Sequence, residues 1–488
     1  MRSSVVWLRK IDHPKISYRR RRRSAPPQRV AYNNTVSRFY VENFGCRATQ
    51  ADGAAIERAL EERGLTSVAG AQDAEIAILN SCTVTAAADQ DVRAAIRRIH
   101  RQNPACRILV TGCYAQRAPQ EIAAIPGVSA VVGNSHKSAM AEIICGDSVP
   151  PPQPAQHLCD GNVTVAALSA AAEIYVGDIF AHTELPAAPV FEGGARTRPN
   201  LKVQDGCNNR CSFCIIPAVR GRSRSLQLED AVREVQMLVQ AEYREVVISG
   251  INLGRWGRDL PGRRRLEDLV RAVLERTSIE KLRLSSVEPM DWSDELIALV
   301  AGSDRIAKHA HLPLQSASDR VLRRMHRKYR PWHYADRVLK IRAAMPLAAI
   351  GADVMVGFPG ESDADFEATR TMIAQLPLTY LHVFSYSSRP GTPTAEMPEQ
   401  VPAALMKQRS RVLRDLAAAK KLAFMQSFVG QTITALTLNV YEDGCTEALT
   451  DNYLKLRLPG YYAANHWITA QVRSATTSGL GGVLRQNT

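Results

Sequence analysis

A chain of 488 residues, 45% hydrophobic and 23% charged with ten cysteines, is long enough for about three domains and can bury cores without disulfide staples. No apolar run approaches the roughly 20 residues of a membrane span, which excludes a helical membrane protein. The formal charge of +14 suggests nucleic acid until it is localised: residues 1–38 hold eleven Lys and Arg against the single acid Asp12, so +10 of it lies there. Any RNA binding by the mildly basic body must therefore come from local patches.

Residues 1–37, with the run Arg19 to Arg23, read as a basic disordered tail. It lacks the apolar stretch of a secretory signal. Two readings stay open: an arm that touches RNA, or sequence upstream of the true start of the folded protein.

Residues 38–145 alternate strand and helix. The stretches from Arg38 to Cys46, Glu75 to Cys82 and Arg107 to Cys113 each run through apolar residues and stop at a cysteine. Helical spacing follows each one, over about 51–63, 86–101 and 116–124. Apolar strands alternating with helices predict a doubly wound parallel sheet, whose ligands sit beyond the carboxyl ends of the strands. Cys46, Cys82 and Cys113 all fall there and can converge on one metal site. Cys106 precedes its strand and belongs at the opposite edge; Cys145, Cys159 and Cys445 read as incidental thiols. Residues 146–196, Pro- and Ala-rich, read as a linker or insertion.

From 197 to 428 the alternation resumes. The segment Cys207-Asn-Asn-Arg-Cys-Ser-Phe-Cys214 gathers three thiols in one short loop. A structural zinc site or an electron-transfer iron–sulfur cluster takes four protein ligands, so a local trio leaves one iron of a four-iron cluster open. The competing reading is a zinc knuckle completed by His309 or His311. The loop closely resembles that of the radical S-adenosylmethionine (SAM) enzymes, which implies a 4Fe-4S cluster on Cys207, Cys211 and Cys214 with SAM on the open iron. Six strands are expected, over 201–204, 245–249, 281–285, 308–312, 351–356 and 380–384. Six βα units make a partial (β/α)6 barrel with its active site at the carboxyl ends of the strands. Polar residues at those ends, Gly250, Ser285, Glu288, Gln315 and Asp353, read as a SAM cradle. Gly250 would let the ligand approach the backbone, and Asp353, inside a strand, is either a ligand or the structural partner of an arginine. Arg220, Arg222 and Arg224 follow the cluster loop and are the first candidates for phosphate contacts.

Residues 429–488 turn to short alternating strands, expected at 432–440, 446–450, 453–458 and 467–473, the pattern of a small β-barrel. The segment Glu447-Ala-Leu-Thr-Asp-Asn-Tyr-Leu-Lys-Leu456 resembles the TRAM domain, which implies RNA contacts from Asn452, Tyr453 and Lys455. With four acids and four bases after residue 429, such contacts would rest on stacking as much as on charge.

Taken in order, these segments resemble the radical SAM methylthiotransferase family, and the branch acting on N6-threonylcarbamoyladenosine in particular. The marks are Cys207 to Pro217, Arg220-Gly-Arg-Ser-Arg-Ser225 and Leu381-His-Val-Phe-Ser-Tyr-Ser387. The resemblance implies two 4Fe-4S clusters, the second on Cys46, Cys82 and Cys113. It also implies transfer of a methylthio group to C2 of the modified adenosine next to the anticodon of tRNA. A reducing compartment, hence the cytoplasm, and an electron donor such as flavodoxin or ferredoxin follow from it. Within the family, N6-isopentenyladenosine in tRNA or a ribosomal-protein aspartate are alternative substrates; outside it, a non-catalytic iron–sulfur RNA-binding protein is the alternative.

Overall fold

The computed structural model describes residues 37–146, 172–183, 185 and 197–485; the basic tail and most of the Pro/Ala-rich insertion lie outside them. Six strands form a wholly parallel sheet in the order Thr66–Ser67, Arg38–Asn43, Ile76–Ser81, Arg107–Gly112, Val128–Gly133, Glu173–Tyr175. The last strand belongs to the stretch read from sequence as linker. Every residue of Ile76–Ser81 is buried, as a central strand covered on both faces requires. The covering helices are Arg47–Glu61 and Met140–Cys145 on one side and Ala86–Gln102 on the other. Thr85 caps Ala86–Gln102 by accepting the Ala88 N–H at 3.2 Å, which satisfies one of the free donors of the first turn. Chain direction across the sheet reverses between Arg38–Asn43 and Ile76–Ser81. A crevice opens at such a point, and Cys46 and Cys82 follow those two strands.

Six further parallel strands, Asn200–Asp205, Glu245–Gly250, Lys281–Leu284, His309–His311, Ala349–Val356 and Tyr380–Ser385, follow one another with helices between them. Their hydrogen-bonded ladder breaks after the third strand, where one bridge, Leu282 to Ile306, joins the two halves. The result is a partial barrel around a large apolar core that includes the fully buried Trp256 and Trp292. A long helix, Ala403–Gln426, leads to a closed five-stranded barrel ordered Thr432–Glu442, Cys445–Thr450, Lys455–Pro459, Gly479–Leu484, Trp467–Thr476. The fifth strand, Gly479–Leu484, reads Gly-Leu-Gly-Gly-Val-Leu and lacks the alternation that marks the other four. No described helix is long and apolar enough to cross a membrane.

Three polar contacts tie the sheet domain to the partial barrel. Asn200 donates to the Arg47 carbonyl at 2.8 Å. Arg389 reaches Asp89 at 2.7 Å, and the Ala86 N–H donates to Ser387 Oγ at 3.0 Å.

Candidate functional site

The upstream cysteines sit where three strands end. Cys46 precedes the helix Arg47–Glu61, Cys82 follows Ile76–Ser81, and Cys113 opens the short helix Cys113–Arg117. Two glycines make this possible. Gly45 has φ +100° and a Cβ there would lie 2.8 Å from Cys82 Sγ; Gly112 has φ +97° and a Cβ there would lie 2.3 Å from the Ser81 carbonyl oxygen. Only glycine takes both the left-handed conformation and the contact. Burial first, then the neighbouring Cys113 and Cys46, push the Cys82 thiol up to about 12. Donors surround the sulfurs: Asn134 Nδ2 lies 3.6 Å and Arg220 Nε 3.2 Å from Cys113 Sγ, and Thr49 Oγ1 lies 3.6 Å from Cys46 Sγ.

The second trio occupies the loop after Asn200–Asp205. The Asn209 N–H donates to Cys207 Sγ at 3.4 Å and Asn252 Nδ2 at 3.6 Å. Arg327 Nη1 donates to Cys211 Sγ at 3.3 Å, while its Nη2 pairs with Glu288 and its guanidinium lies over the Tyr329 ring. Cys214 is pushed up to about 12 by burial and then by Cys211. One small apolar patch brings the trios together: Cys113 packs there with Ile215, Ile216 and Val219 and is flanked by Cys207, Cys214 and Ile251.

Arg220 is the joint between them. Its Nη1 binds both oxygens of Asp205 at 3.0 and 3.1 Å, its Nη2 binds Asp52 at 3.0 Å, and its Nε faces Cys113. Lys137 reaches Asp52 and Lys202 reaches Asp205, both at 2.8 Å, and Lys202 also pairs with Asp52. Burial alone would raise Asp205, but Arg220 and Lys202 outweigh it and hold the carboxyl well below the usual carboxylate range. Three cations thus meet two carboxylates beside Cys113, around a cavity of about 300 Å³. The surplus positive charge and the N–H donors on the sulfurs suit thiolate ligands. Three sulfurs in each set suit iron–sulfur ligation with one position left open.

The expected cofactor residues divide. Ser285 Oγ is buried and makes no hydrogen bond, as an atom awaiting a ligand would. Glu288 pairs with Arg327. Gln315 has φ +60° and is half-buried; its backbone N–H donates to the Asp353 carbonyl at 2.8 Å. Gly250 packs tightly, but against Gln204 rather than open space: an added Cβ would lie 2.9 Å from Gln204 Cβ. Asp353 faces imidazoles and no arginine, with His382 Nδ1 at 3.2 Å and His311 Nε2 at 3.4 Å. Of the histidines that a zinc knuckle could use, His309 meets Tyr380 through Nε2 and His311 meets Ser286 through Nδ1, each at 2.7 Å.

The RNA expectations need more correction. Arg220 is 1% exposed and its guanidinium is spent on Asp205 and Asp52, so it cannot meet a phosphate. Arg224 is buried too, donating to the carbonyls of Arg220 and His182 at 3.0 and 3.3 Å; of the three, Arg222 alone is exposed. Asn452 is buried, accepting from Thr450 Oγ1 at 2.7 Å and donating to the Leu347 carbonyl at 3.0 Å. Tyr453, at φ +66°, turns into the partial barrel. Its hydroxyl accepts from Arg47 at 3.2 Å, and its ring lies 4.8 Å from that of His309. Lys455 is exposed and pairs with Glu447 at 3.0 Å. Sequence reasoning missed Asp52, Asp205, Lys137 and Lys202, and it missed the contact of Arg327 with Cys211.

Comparison with known proteins agrees with this geometry. Residues 38–133 match the family described as "Uncharacterized protein family UPF0004", and residues 201–373 match the radical SAM superfamily. The chain is 35% identical to the threonylcarbamoyladenosine tRNA methylthiotransferase MtaB of Aquifex aeolicus, over 86% of this chain and 96% of that one. It is 36% identical to the protein of the same name from Bacillus subtilis, over 86% and 89%. A tRNA-2-methylthio-N(6)-dimethylallyladenosine synthase of Novosphingobium aromaticivorans is 31% identical over 82% and 86%. Among solved structures, the radical SAM methyltransferase TsrM from Kitasatospora setae superposes with a TM-score of 0.54 at 14% identity, covering 74% of each chain; this likeness is one of fold.

Proposed function

The chain belongs to the radical SAM methylthiotransferase family, and we propose that it transfers a methylthio group to C2 of N6-threonylcarbamoyladenosine next to the anticodon of tRNA. The observation that carries the reading is the apolar patch that brings Cys113 of one trio beside Cys207 and Cys214 of the other, with Arg220 between Cys113 and Asp205. A radical generator and a sulfur site must lie close together if one substrate carbon is to meet both. The relatives named for threonylcarbamoyladenosine supply the choice of base.

Cys207, Cys211 and Cys214 would hold one four-iron cluster, and Cys46, Cys82 and Cys113 the other. Bound there, such clusters supply the electron that cleaves SAM and a position for the sulfur to be transferred. The chain's own part is electrostatic and steric. Arg327 donates to Cys211 and fixes Glu288 beside it. Ser285 keeps a free hydroxyl for SAM, with Gln315 completing that edge. Arg220 offsets the charge of the Cys113 thiolate. Ile216, Val219 and Ile251 line the space between Cys113 and the second set with apolar surface, which disfavours water there. Arg222 and Lys455 remain for phosphate contact. A reducing cytoplasm and a donor such as flavodoxin or ferredoxin complete the scheme.

The test is mass spectrometry of tRNA nucleosides from a strain lacking the gene, before and after complementation. The reading expects 2-methylthio-N6-threonylcarbamoyladenosine to vanish and return. Loss of the isopentenyl analogue instead would move the substrate to the other tRNA branch, and an unchanged nucleoside profile would remove tRNA altogether.

A further inference from the structure

We propose that His311, Asp353 and His382 form a site for a divalent first-row transition cation, separate from the six cysteines. The three residues lie on adjacent parallel strands of the partial barrel. Asp353 and His382 are direct register partners. His311 is paired with Gly351, two residues before Asp353. The missing side chain at Gly351 leaves its place to the Tyr380 ring, which a Cβ there would meet at 2.1 Å. One donor atom from each of the three residues falls within 4.8 Å of the others.

The spacing suits coordination. The Asp353 Oδ1 to His382 Nδ1 and His311 Nε2 distances are 3.2 and 3.4 Å. The edge of a tetrahedron built on metal–ligand bonds of about 2.0–2.1 Å is roughly 3.3–3.4 Å. The second observation is an orphan. His311 is 5% exposed, and its Nε2 is buried without a hydrogen bond. Its Nδ1 lies 2.7 Å from Ser286 Oγ, an outer contact of the kind that orients a metal-ligating histidine. With the proton on Nδ1, the Nε2 lone pair points at a carboxylate oxygen; a cation between them converts repulsion into two bonds. The imidazoles of His311 and His382 lie 5.2 Å apart at 39°, on the same side of the strands.

Two nitrogens and one carboxylate, with no sulfur, select zinc, iron(II), manganese(II) or their neighbours over the soft ions that thiolates prefer. Three protein donors leave positions for water or for an oxygen of a bound substrate. The His382 side chain is 54% exposed, so the site can load from solvent.

The experiment uses the full-length protein with its clusters oxidised and diamagnetic, freed of adventitious metal by chelator and desalting, then titrated with manganese(II) alone. Loss of the aquo-manganese EPR signal should saturate at one equivalent per chain. Pulsed EPR of the bound ion should show coupling to imidazole nitrogen. Asp353→Asn and His382→Ala should each weaken binding by about tenfold or more, with iron and sulfide contents unchanged. His382→Ala replaces an exposed side chain, so its fold is secure even where Asp353→Asn is not. Absence of saturable binding, absence of nitrogen coupling, or binding that survives both substitutions would overturn the site.

Discussion

Replacing Arg220 by Met separates the two roles that its position admits. The residue follows the cluster loop in an arginine-rich run, where a phosphate contact is the simple expectation, yet its guanidinium is 1% exposed and holds Asp205, Asp52 and Cys113. Removing one partner from a buried ion pair costs about 3–5 kcal/mol, because the other charge is left uncompensated. Asp52 keeps Lys137 and Lys202, and Asp205 keeps Lys202, so the lower end, about 3 kcal/mol, is expected. Loss of the surplus positive charge beside Cys113 should also weaken the cluster proposed for Cys46, Cys82 and Cys113. Anaerobic reconstitution should therefore fall from about eight irons per chain toward four, and the urea midpoint should drop. Adding Asp205→Asn should recover part of the stability by removing an orphaned carboxylate. The salt dependence of tRNA binding should not change, because a buried guanidinium releases no counterions. Full iron, an unshifted urea midpoint and a salt slope reduced by about one would refute the reasoning and return Arg220 to the RNA surface.

Four other outcomes are expected. Changing Cys207, Cys211 and Cys214 to Ala together should leave about half the wild-type iron and sulfide on Cys46, Cys82 and Cys113, measured by metal analysis; complete loss would mean that the trios are not independent. Arg327→Gln, which removes the charged donor to Cys211 and the partner of Glu288, should slow reductive SAM cleavage at least tenfold while leaving tRNA affinity unchanged, as read by 5′-deoxyadenosine release and by filter binding. Gly250→Ala should destabilise the barrel by about 1–3 kcal/mol, since the new methyl group meets Gln204, whose amide donates to the Asp205 and Gly206 carbonyls at 2.9 and 2.8 Å; a neutral effect in urea unfolding would show that Gln204 yields. Arg222→Ala, at an exposed position, should lower the salt slope of tRNA binding by about one with clusters intact.

The strands that carry chemistry were legible because burial on both faces writes itself as an apolar run. Ile76–Ser81 and Arg107–Gly112 fall within a residue of where composition puts them, and a cysteine directly follows each run. Short edge strands left no such trace: Glu173–Tyr175 is three residues long and partly exposed. The arginines were misjudged for a different reason. What buries Arg220 is Asp52, 168 positions away, and what claims Arg327 is Cys211, 116 positions away. Nothing in the local run Arg-Gly-Arg-Ser-Arg distinguishes the inward Arg220 and Arg224 from the outward Arg222. Asn452 and Tyr453 were drawn to RNA by their motif, whereas a left-handed turn at Tyr453 sends the ring into the protein. The Asp52–Asp205–Lys137–Lys202 network had no sequence signal, being assembled from three separate elements.

Tyr453 also bears on how the molecule is made. The residue belongs to the C-terminal barrel, its hydroxyl accepts from Arg47 of the sheet domain, and its ring rests on His309 and Tyr380 of the partial barrel. Domains emerge from the ribosome in order, the N-terminal one first, so this three-way junction closes last. Until then the interior flanking His309 stays open, and a chain stalled before residue 453 presents that wall to solvent. Removing the C-terminal barrel should therefore produce an incompletely sealed enzyme as well as a weaker tRNA binder. Tyr453→Ala in the full-length chain, scored by protease sensitivity near Arg47, distinguishes a missing seal from a missing RNA contact.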